Sequence, residues 1–394
     1  MSVRSYLQEN VFEAALNRIR RLYDEFGDHI IVNTSGGKDS TIILHLTLKV
    51  AEERGMLPLK VLFIDQEAEW QAVINHIRQV YSDPRIEPIW LQLPLRISSA
   101  TSPNATWLHC WEEEKKHEWI RQKEPDSIHE NTFGTDRLKH LFGAVVRAYW
   151  PNEPGCSIGG VRCEESPSRT AGLTNYATYK DITWGSVADK RRGHYTFYPI
   201  YDWSYTDVWK AIHDNGWPYC PIYDYYYQYG VPLVNMRVSH VHHETAMTAM
   251  FVLQEIEPDT WNKVVMRVPG LNTAGHLQRG FLGDGQLPFM FSSWHEYRDY
   301  LLENIITRPE IKEKFRQQFQ GHEGRYIPEV QEQLNKTEVR MLLLNDSHGT
   351  KLTVFHAVHG FDAIKFRVEH GLPLTGRIPK GYVHVSYLER TDAS

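Results

Sequence analysis

Apolar residues in the first ninety positions recur with two periods that alternate. Val11, Phe12, Ala15, Leu16, Ile19, Leu22, Tyr23 and Phe26 repeat every three or four positions, which predicts an amphipathic helix ending near Gly27. HIIVN (His29–Asn33) is a short β-branched run and predicts a buried strand. A helical pattern follows from Asp39 to Arg54 and is closed by Gly55. KVLFID (Lys60–Asp65) predicts a second strand, Trp70–Tyr81 a second helix of this unit, and IEPIWLQL (Ile86–Leu93) a third strand. Strands alternating with helices imply an α/β fold with a doubly wound, mainly parallel sheet. In such sheets ligands bind beyond the carboxyl ends of the strands. Asn33–Lys38 and Asp65 both fall at such ends.

Later segments are less regular. Residues 94–155 mix tryptophans with the charged run EEEKKHEW and predict an insertion or lid, the charges being a solvated face. CSIGGVRCEESPSR, from Cys156, reads as a loop ending in a Ser/Pro/Arg turn. Tyr198–Gly216 reads as a strand end, a turn and a helix capped by Asp202 or Ser204, with Val208, Trp209 and Ile212 as its buried stripe. Past about residue 240 the alternation stops, and helices are expected over Trp294–Ile306, Glu310–Phe319 and Glu329–Leu344. This divides the chain into a nucleotide-binding domain, 1–235, and a mainly helical region, 236–394, for a substrate or partner.

Composition narrows the setting. The 394 residues are 41% hydrophobic and 23% charged, ordinary for a globular chain with a large core. A net charge of −6 does not indicate nucleic-acid binding through bulk charge, although a local basic groove would permit it. We expect no signal peptide and no membrane span, because neither an apolar leader nor an apolar run of about 18 residues occurs. Four scattered cysteines fit reduced thiols and a cytoplasmic setting.

The chemistry concentrates in NTSGGKDSTIILHL (Asn33–Leu46). Two glycines let the backbone approach an anion, and the following helix N-terminus and Lys38 add positive charge. It is not a Walker loop: Asp39 follows Lys38, and the position five before Gly37 is Val32. Asp39 would repel a bare phosphate but suits a divalent cation shared with phosphates. The pattern therefore points to a nucleotide di- or triphosphate with Mg²⁺.

SGGKDS resembles the signature of the PP-loop ATP pyrophosphatases, which cleave between the α and β phosphates and adenylate a substrate. Two distal segments resemble the phosphoadenosine phosphosulfate (PAPS) reductase-like branch: GGVRCEESPSR, with Gly160, Arg162, Glu165, Ser166 and Arg169, and PIYDWSYTDVW, with Pro199, Asp202, Trp203 and Asp207. LFIDQEAEW and WIRQKEP are similar to the IbrA-like subgroup, co-activators of prophage gene expression associated with a ParB-like partner. The resemblance implies that Ser35, Gly36, Gly37, Lys38 and Ser40 hold ATP phosphates and that Asp39 engages Mg²⁺. It also implies that Gly160 and Glu165 belong to the binding site and that Arg162 and Arg169 face an unknown acceptor. Asp65, at a strand's carboxyl end, is expected to meet Mg²⁺ or a ribose hydroxyl, or to act as a simple helix cap. Lys38, Asp39, Arg162 and Arg169 are the expected catalytic residues.

The chain departs from the reductases in its thiols. The last cysteine is Cys220, with no nucleophilic cysteine near the C-terminus, and no C-x-x-C or Cys-Cys pair is available for an iron–sulfur cluster. We therefore expect no cluster and no reductive sulfite release. Three outcomes remain: adenylation of an acceptor, sulfate adenylation, or a nucleotide-sensing module acting with the ParB-like partner. DKRRG (Asp189–Gly193) is either a basic loop over phosphates or a charged turn. The tyrosines of PIYDYYYQYG (Pro221–Gly230) are expected to pack between domains or to stack a base. His240, His242 and His243 suggest a metal site, but their spacing is not H-E-x-x-H.

Overall fold

Alternating helices and strands build a six-stranded sheet in the computed structural model, which describes residues 8–99, 107–233, 236, 238, 250–271 and 286–373. Two compact units are present: Met1–Ser98 with Trp107–Val268, and Ser99–Thr106 with Pro269–Ser394.

In the first unit, α1 (Val11–Phe26) starts at Asn10, whose side chain accepts from the Phe12 and Glu13 amides, and ends at Gly27. The elements that follow are β1 (Ile30–Thr34), α2 (Lys38–Glu53), β2 (Leu59–Ile64), α3 (Gln71–Tyr81) and β3 (Ile86–Leu91). β4 (Leu95–Ser98) and β5 (Trp107–Cys110) form a separate antiparallel pair within the expected insertion. EEEKKHEW forms a 3₁₀ turn over Glu113–Glu118 with no buried residue, the solvated charge run expected. Then come α4 (Leu138–Tyr149), β6 (Gly155–Ile158), α5 (Pro167–Thr174), β7 (Gly185–Asp189), β8 (His194–Phe197), α6 (Tyr205–Asn215), α7 (Ile222–Gln228), α8 (Met250–Ile256) and α9 (Pro258–Arg267).

The strand order is β3-β2-β1-β6-β8-β7, parallel except for β7. The chain runs outward from β1 through β2 to β3 and then returns to place β6 on the other flank of β1. That reversal opens a crevice at the carboxyl ends of β1 and β6. The strand β6 corrects the loop expected from Cys156: it is only four residues long, contains Cys156 and Ser157, and carries no alternation. It is a central strand because it is buried throughout, with Ser157 satisfied by Thr196 Oγ1 at 2.9 Å.

Helix α6 is capped by Ser204 in a reciprocal pair with Asp207 and closed by left-handed Gly216. Asp202, the other candidate cap, instead takes both arms of Arg18 at 2.7 and 2.6 Å. Leu16, Ile19 and Leu22 of α1, Ile42 and Leu46 of α2, and Val208 and Ile212 of α6 make one apolar cluster with β1, β6 and β8. α4 packs on β6, β7 and β8, yet its buried Leu141, Val145 and Val146 do not join that cluster, which places it on the other face.

The second unit is helical: α10 (Trp294–Asn304), α11 (Pro309–His322), α12 (Pro328–Leu343) and α13 (Thr350–Glu369), around Leu301, Phe315, Phe319, Leu334 and Leu342. Its apolar core carries a buried ion pair, Arg298 Nη1 to Glu338 Oε2 at 2.8 Å.

Candidate nucleotide site

β1 delivers the chain to Ser35 with Thr34 buried, and α2 begins at Lys38 with no side chain capping its first turn. The turn between them needs glycine at position 36. Its φ is +70°, and a Cβ there would press on Val73 Cγ1 at 3.0 Å. Ser40 braces the turn: its Oγ donates to the Gly37 carbonyl at 2.9 Å and accepts from the Ser35 amide at 3.2 Å. Thr41 Oγ1 donates to the same carbonyl at 3.1 Å. The result is a short, pre-shaped turn in front of a helix N-terminus, a geometry suited to an anion.

The loop after β6 closes on it. A Cβ on Gly160 would lie 2.7 Å from the Asp39 carbonyl carbon and oxygen and 2.9 Å from the Ser40 amide nitrogen, so only glycine lets the two backbones meet. Two residues on, Arg162 is buried. Its Nε donates to Asp39 Oδ1 at 2.5 Å and its Nη1 to Glu164 Oε2 at 2.8 Å and to the Trp203 carbonyl at 3.3 Å. The other Asp39 oxygen lies 3.3 Å from Lys38 Nζ. Asp39 is therefore clamped between two cations. Arg169, in the first turn of α5, is ion-paired with Glu165 four residues earlier, just before the Ser166 cap.

These loops open on a cleft of about 820 Å³. Ser35, Gly37, Lys38, Asp39, Ser40, Gly160, Glu165 and Arg169 line it. Gly36 and Arg162 stand behind that surface. Arg162 was expected to face an acceptor; its side chain is only 5% exposed and is committed to Asp39 and Glu164, so it positions the loop instead.

Asp65 is also placed elsewhere. It is fully buried and does not line the cleft. Its oxygens accept from the Glu67 amide at 2.9 Å, Trp90 Nε1 at 3.2 Å, Gln92 Nε2 at 2.9 Å and the Arg121 guanidinium. A carboxylate holding four protein donors has no room for a ribose hydroxyl.

Among the described residues no group of three or more His, Cys, Asp or Glu is arranged to hold a metal ion. With both Asp39 oxygens engaged by cations, the residues do not make a protein cage for Mg²⁺. A Mg²⁺ here would travel on the nucleotide's own phosphates. His240, His242 and His243 lie outside the described residues.

Two sets of residues were missed by sequence reasoning. Tyr223 of α7 lines the cleft, and its hydroxyl accepts from the Lys38 amide at 2.9 Å. Burial raises its pKa well above the usual phenol value, so it stays a neutral hydroxyl. Tyr223 packs on Trp209 with ring centroids 5.1 Å apart and Tyr226 on Trp70 at 6.0 Å, contacts that lie within the first unit. The second set is on α4, where Lys139, His140 and Arg147 line the cleft.

Two remaining features stand apart from the cleft. DKRRG is the exposed turn joining β7 to β8, with Arg192 bonded to Asp189 at 2.8 Å. All four cysteines are free thiols; Cys110, Cys156 and Cys220 are buried and Cys163 partly so. Burial raises every thiol pKa, that of Cys220 to about 12, which keeps them protonated and poor nucleophiles.

Residues 29–229 match the profile of the phosphoadenosine phosphosulfate reductase domain. The chain belongs to that family. The match spans β1 through α7 and so contains every loop that lines the cleft up to Tyr223. Residues 230–366 match a domain of unknown function, DUF3440. An uncharacterised protein of Escherichia coli (strain K12), YbdN, is 33% identical over 312 residues, 75% of each chain. An adenosine 5'-phosphosulfate reductase of Lysinibacillus sphaericus (strain C3-41) is 23% identical over 218 residues, 55% of this chain and 77% of that one.

Among solved structures, the chain is similar to Candida glabrata FMN adenylyltransferase in complex with FMN and the ATP analogue AMPCPP, at 14% identity and a TM-score of 0.35 over 56% of this chain. It spans 65% of that chain, just under two thirds. It is also similar to the PAPS reductase of Candida auris in a phosphate complex, at 16% identity and a TM-score of 0.30, over 57% of this chain and 94% of that one. No helix among the described residues is long and apolar enough to cross a membrane.

Proposed function

We propose that this protein binds ATP in the β1–β6 crevice, cleaves the bond between its α and β phosphates, and passes the adenylyl group to an acceptor with release of pyrophosphate. The observation that carries the reading is the meeting of Gly160 with the Asp39–Ser40 backbone at the topological switch of the sheet, beside an open cleft. In this reading Ser35, Gly36, Gly37 and Ser40 shape the turn that receives the pyrophosphate end, and Lys38 neutralises its charge. Asp39 is held by Arg162 and keeps Lys38 in place, while Glu165 and Arg169 face the acceptor side. Mg²⁺ accompanies ATP. Catalysis then rests on positioning and on fixed charge around the reacting phosphorus, with no covalent enzyme intermediate. The thiols take no part. The protein works in the cytoplasm, and residues 236–394 serve the acceptor or a protein partner.

A second reading has its own support. The Lys38 amide is satisfied by Tyr223, and Lys38 Nζ donates to the Met236 carbonyl at 3.2 Å, so two of the loop's donors already have protein acceptors. A nucleotide must displace these contacts, as suits a slow nucleotide sensor of the IbrA-like kind acting with a ParB-like partner. Sulfate as the acceptor is a special case of the first reading. ATP labelled at the α position, chromatographed after incubation with the protein, separates them. AMP or an adenylated product with pyrophosphate supports transfer. ATP that is bound and recovered intact supports the sensor. ADP as the main product, lost in Lys38→Ala, would refute both.

A further inference from the structure

Helix α13 carries two apolar faces. Leu352 and Phe355 are buried in the core of the second unit. Val354, Val358, Ile364 and Val368 fall by the helical period on the opposite side and are 50–66% exposed. These four occupy about a third of the helix circumference and about 21 Å of its length. Single exposed apolar residues are ordinary, but a stripe of four on one helix marks a surface that something covers. Valine and isoleucine also form helix less readily than the lysine and glutamate usual on a solvated face, so helix propensity does not account for them. The spacing points to the occupant. The intervals between the four are four, six and four, symmetric about position 361. Two copies of α13 laid antiparallel about a two-fold axis at that point bring Val354 opposite Val368 of the second copy and Val358 opposite its Ile364. The flanking charges follow the same symmetry. Lys351 and Glu369 are 18 residues apart, about five helical turns, and so border the stripe on the same side. The two-fold axis reverses their order and sets Lys351 of one copy about 3 Å along the axis from Glu369 of the other, at both ends of the contact. A face that is complementary to itself in apolar pattern and in charge is what an isologous dimer requires.

We propose that the exposed face of α13 is a homodimer interface, in which two copies of the helix pack antiparallel about position 361 through Val354, Val358, Ile364 and Val368, with a Lys351–Glu369 pair at each end. One helix face per copy is a small contact beside the roughly 800 Å² per partner of a standard interface, so the dimer is reversible and concentration-dependent. The inference concerns the second unit alone and stands whether or not the cleft binds ATP.

Sedimentation velocity on the full chain over a series of concentrations tests it. The wild type should pass from monomer to dimer as concentration rises. Val358→Asp should raise the dimer dissociation constant at least tenfold, and so should Ile364→Lys, since each sets a charge against an apolar side chain of the other copy. Positions 358 and 364 face each other across the two-fold axis, so mixing the two variants should restore a dimer in which the new charges meet. Lys351→Glu alone should weaken the dimer, and Lys351→Glu combined with Glu369→Lys should recover it. The substituted side chains are exposed or half-buried, so circular dichroism should report an unchanged fold. A wild type that stays monomeric at every concentration would give the face to a different partner and overturn the proposal. A dimer indifferent to both Val358→Asp and Ile364→Lys would overturn it too, because the contact would then lie elsewhere. Two variants that remain monomeric when mixed would overturn the antiparallel register on which it rests.

Discussion

Two charge-rich clusters stand at carboxyl ends of parallel strands, and they have opposite characters. Beyond β2, Asp65 and Glu67 are fully buried and saturated. Glu67 accepts from Arg267 Nε at 2.7 Å and Nη2 at 3.0 Å and from the Trp111 amide at 2.7 Å, while its own carbonyl takes Arg121 Nη1 at 2.7 Å. Trp111 Nε1 closes the network on the Asp65 carbonyl at 2.8 Å. Beyond β1 and β6, by contrast, the charges border an open cleft, and three basic groups on its wall have no described partner. Strand-end position alone thus does not separate an acid that binds a ligand from one that holds the fold. Saturation of its lone pairs does. The β2 cluster is scaffold, and the β1–β6 cleft is where a ligand fits.

The largest expected effect tests the scaffold half of that contrast. Glu67→Ala leaves Arg267 buried without its carboxylate, a loss of about 3–5 kcal/mol, and should show as a sharp drop in the denaturation midpoint. The fraction that remains folded should still bind ATP. A near-neutral Glu67→Ala would mean that the β2 cluster is not structural.

Acid comes next. Burial lowers the pKa of His45 and of His76, each to about 4 from 6.5. His76 packs 3.8 Å behind the Cβ position of Gly36, so it belongs to the dry support of the loop. The unfolded chain takes up these protons first as pH falls. Stability from both imidazoles is therefore complete above pH 6.5 and lost progressively toward pH 4, by up to roughly 3 kcal/mol each. Urea unfolding followed across that window should show the slope, and His76→Asn should reduce it. A flat profile in both proteins would contradict dry packing behind the loop.

Gly160→Ala is smaller in stability but acts at the cleft. Its methyl meets the Asp39 backbone at 2.7 Å, and overpacking of this kind costs about 1–3 kcal/mol. ATP affinity should fall at least tenfold as the loops part, read by calorimetry. Wild-type affinity would mean that the approach of the two loops does not shape the site. The smallest effect is expected at Arg192→Ala, which removes an exposed, solvent-screened pair with Asp189. Neither midpoint nor ATP affinity should move measurably; a large loss of affinity would return the DKRRG turn to the site.

The sequence made one half of the contrast readable and hid the other. The turn from Asn33 to Ser40 is contiguous, so its glycines, lysine and helix start are seen together, and the structure places that turn on the cleft. The acids of the β2 cluster are visible too, but what decides their role comes from afar: Arg121 is 56 residues from Asp65, and Arg267 is 200 from Glu67. Nothing local distinguishes a saturated aspartate from an available one. The strand β6 escaped because four residues containing a cysteine and a serine carry no period.

The helix α4 had a signal, Leu141 and Val145 four apart with Lys139 and Arg147 on another face, that the surrounding tryptophans and charges obscured. α10, α11 and α12 match the expected helical segments to within a few residues. α13 was not expected, since Val354, Val358, Ile364 and Val368 lie on its exposed side and blur the pattern.

The central claim is that the phosphates of ATP sit on the loop between β1 and α2. Calorimetric titration of ATP with Mg²⁺ into the wild type and Lys38→Ala, with circular dichroism confirming the fold of each, tests it most directly. Loss of one charge-assisted contact of about 1.5–3 kcal/mol predicts affinity 10- to 100-fold weaker in the variant. Equal affinity in two equally folded proteins would contradict the account.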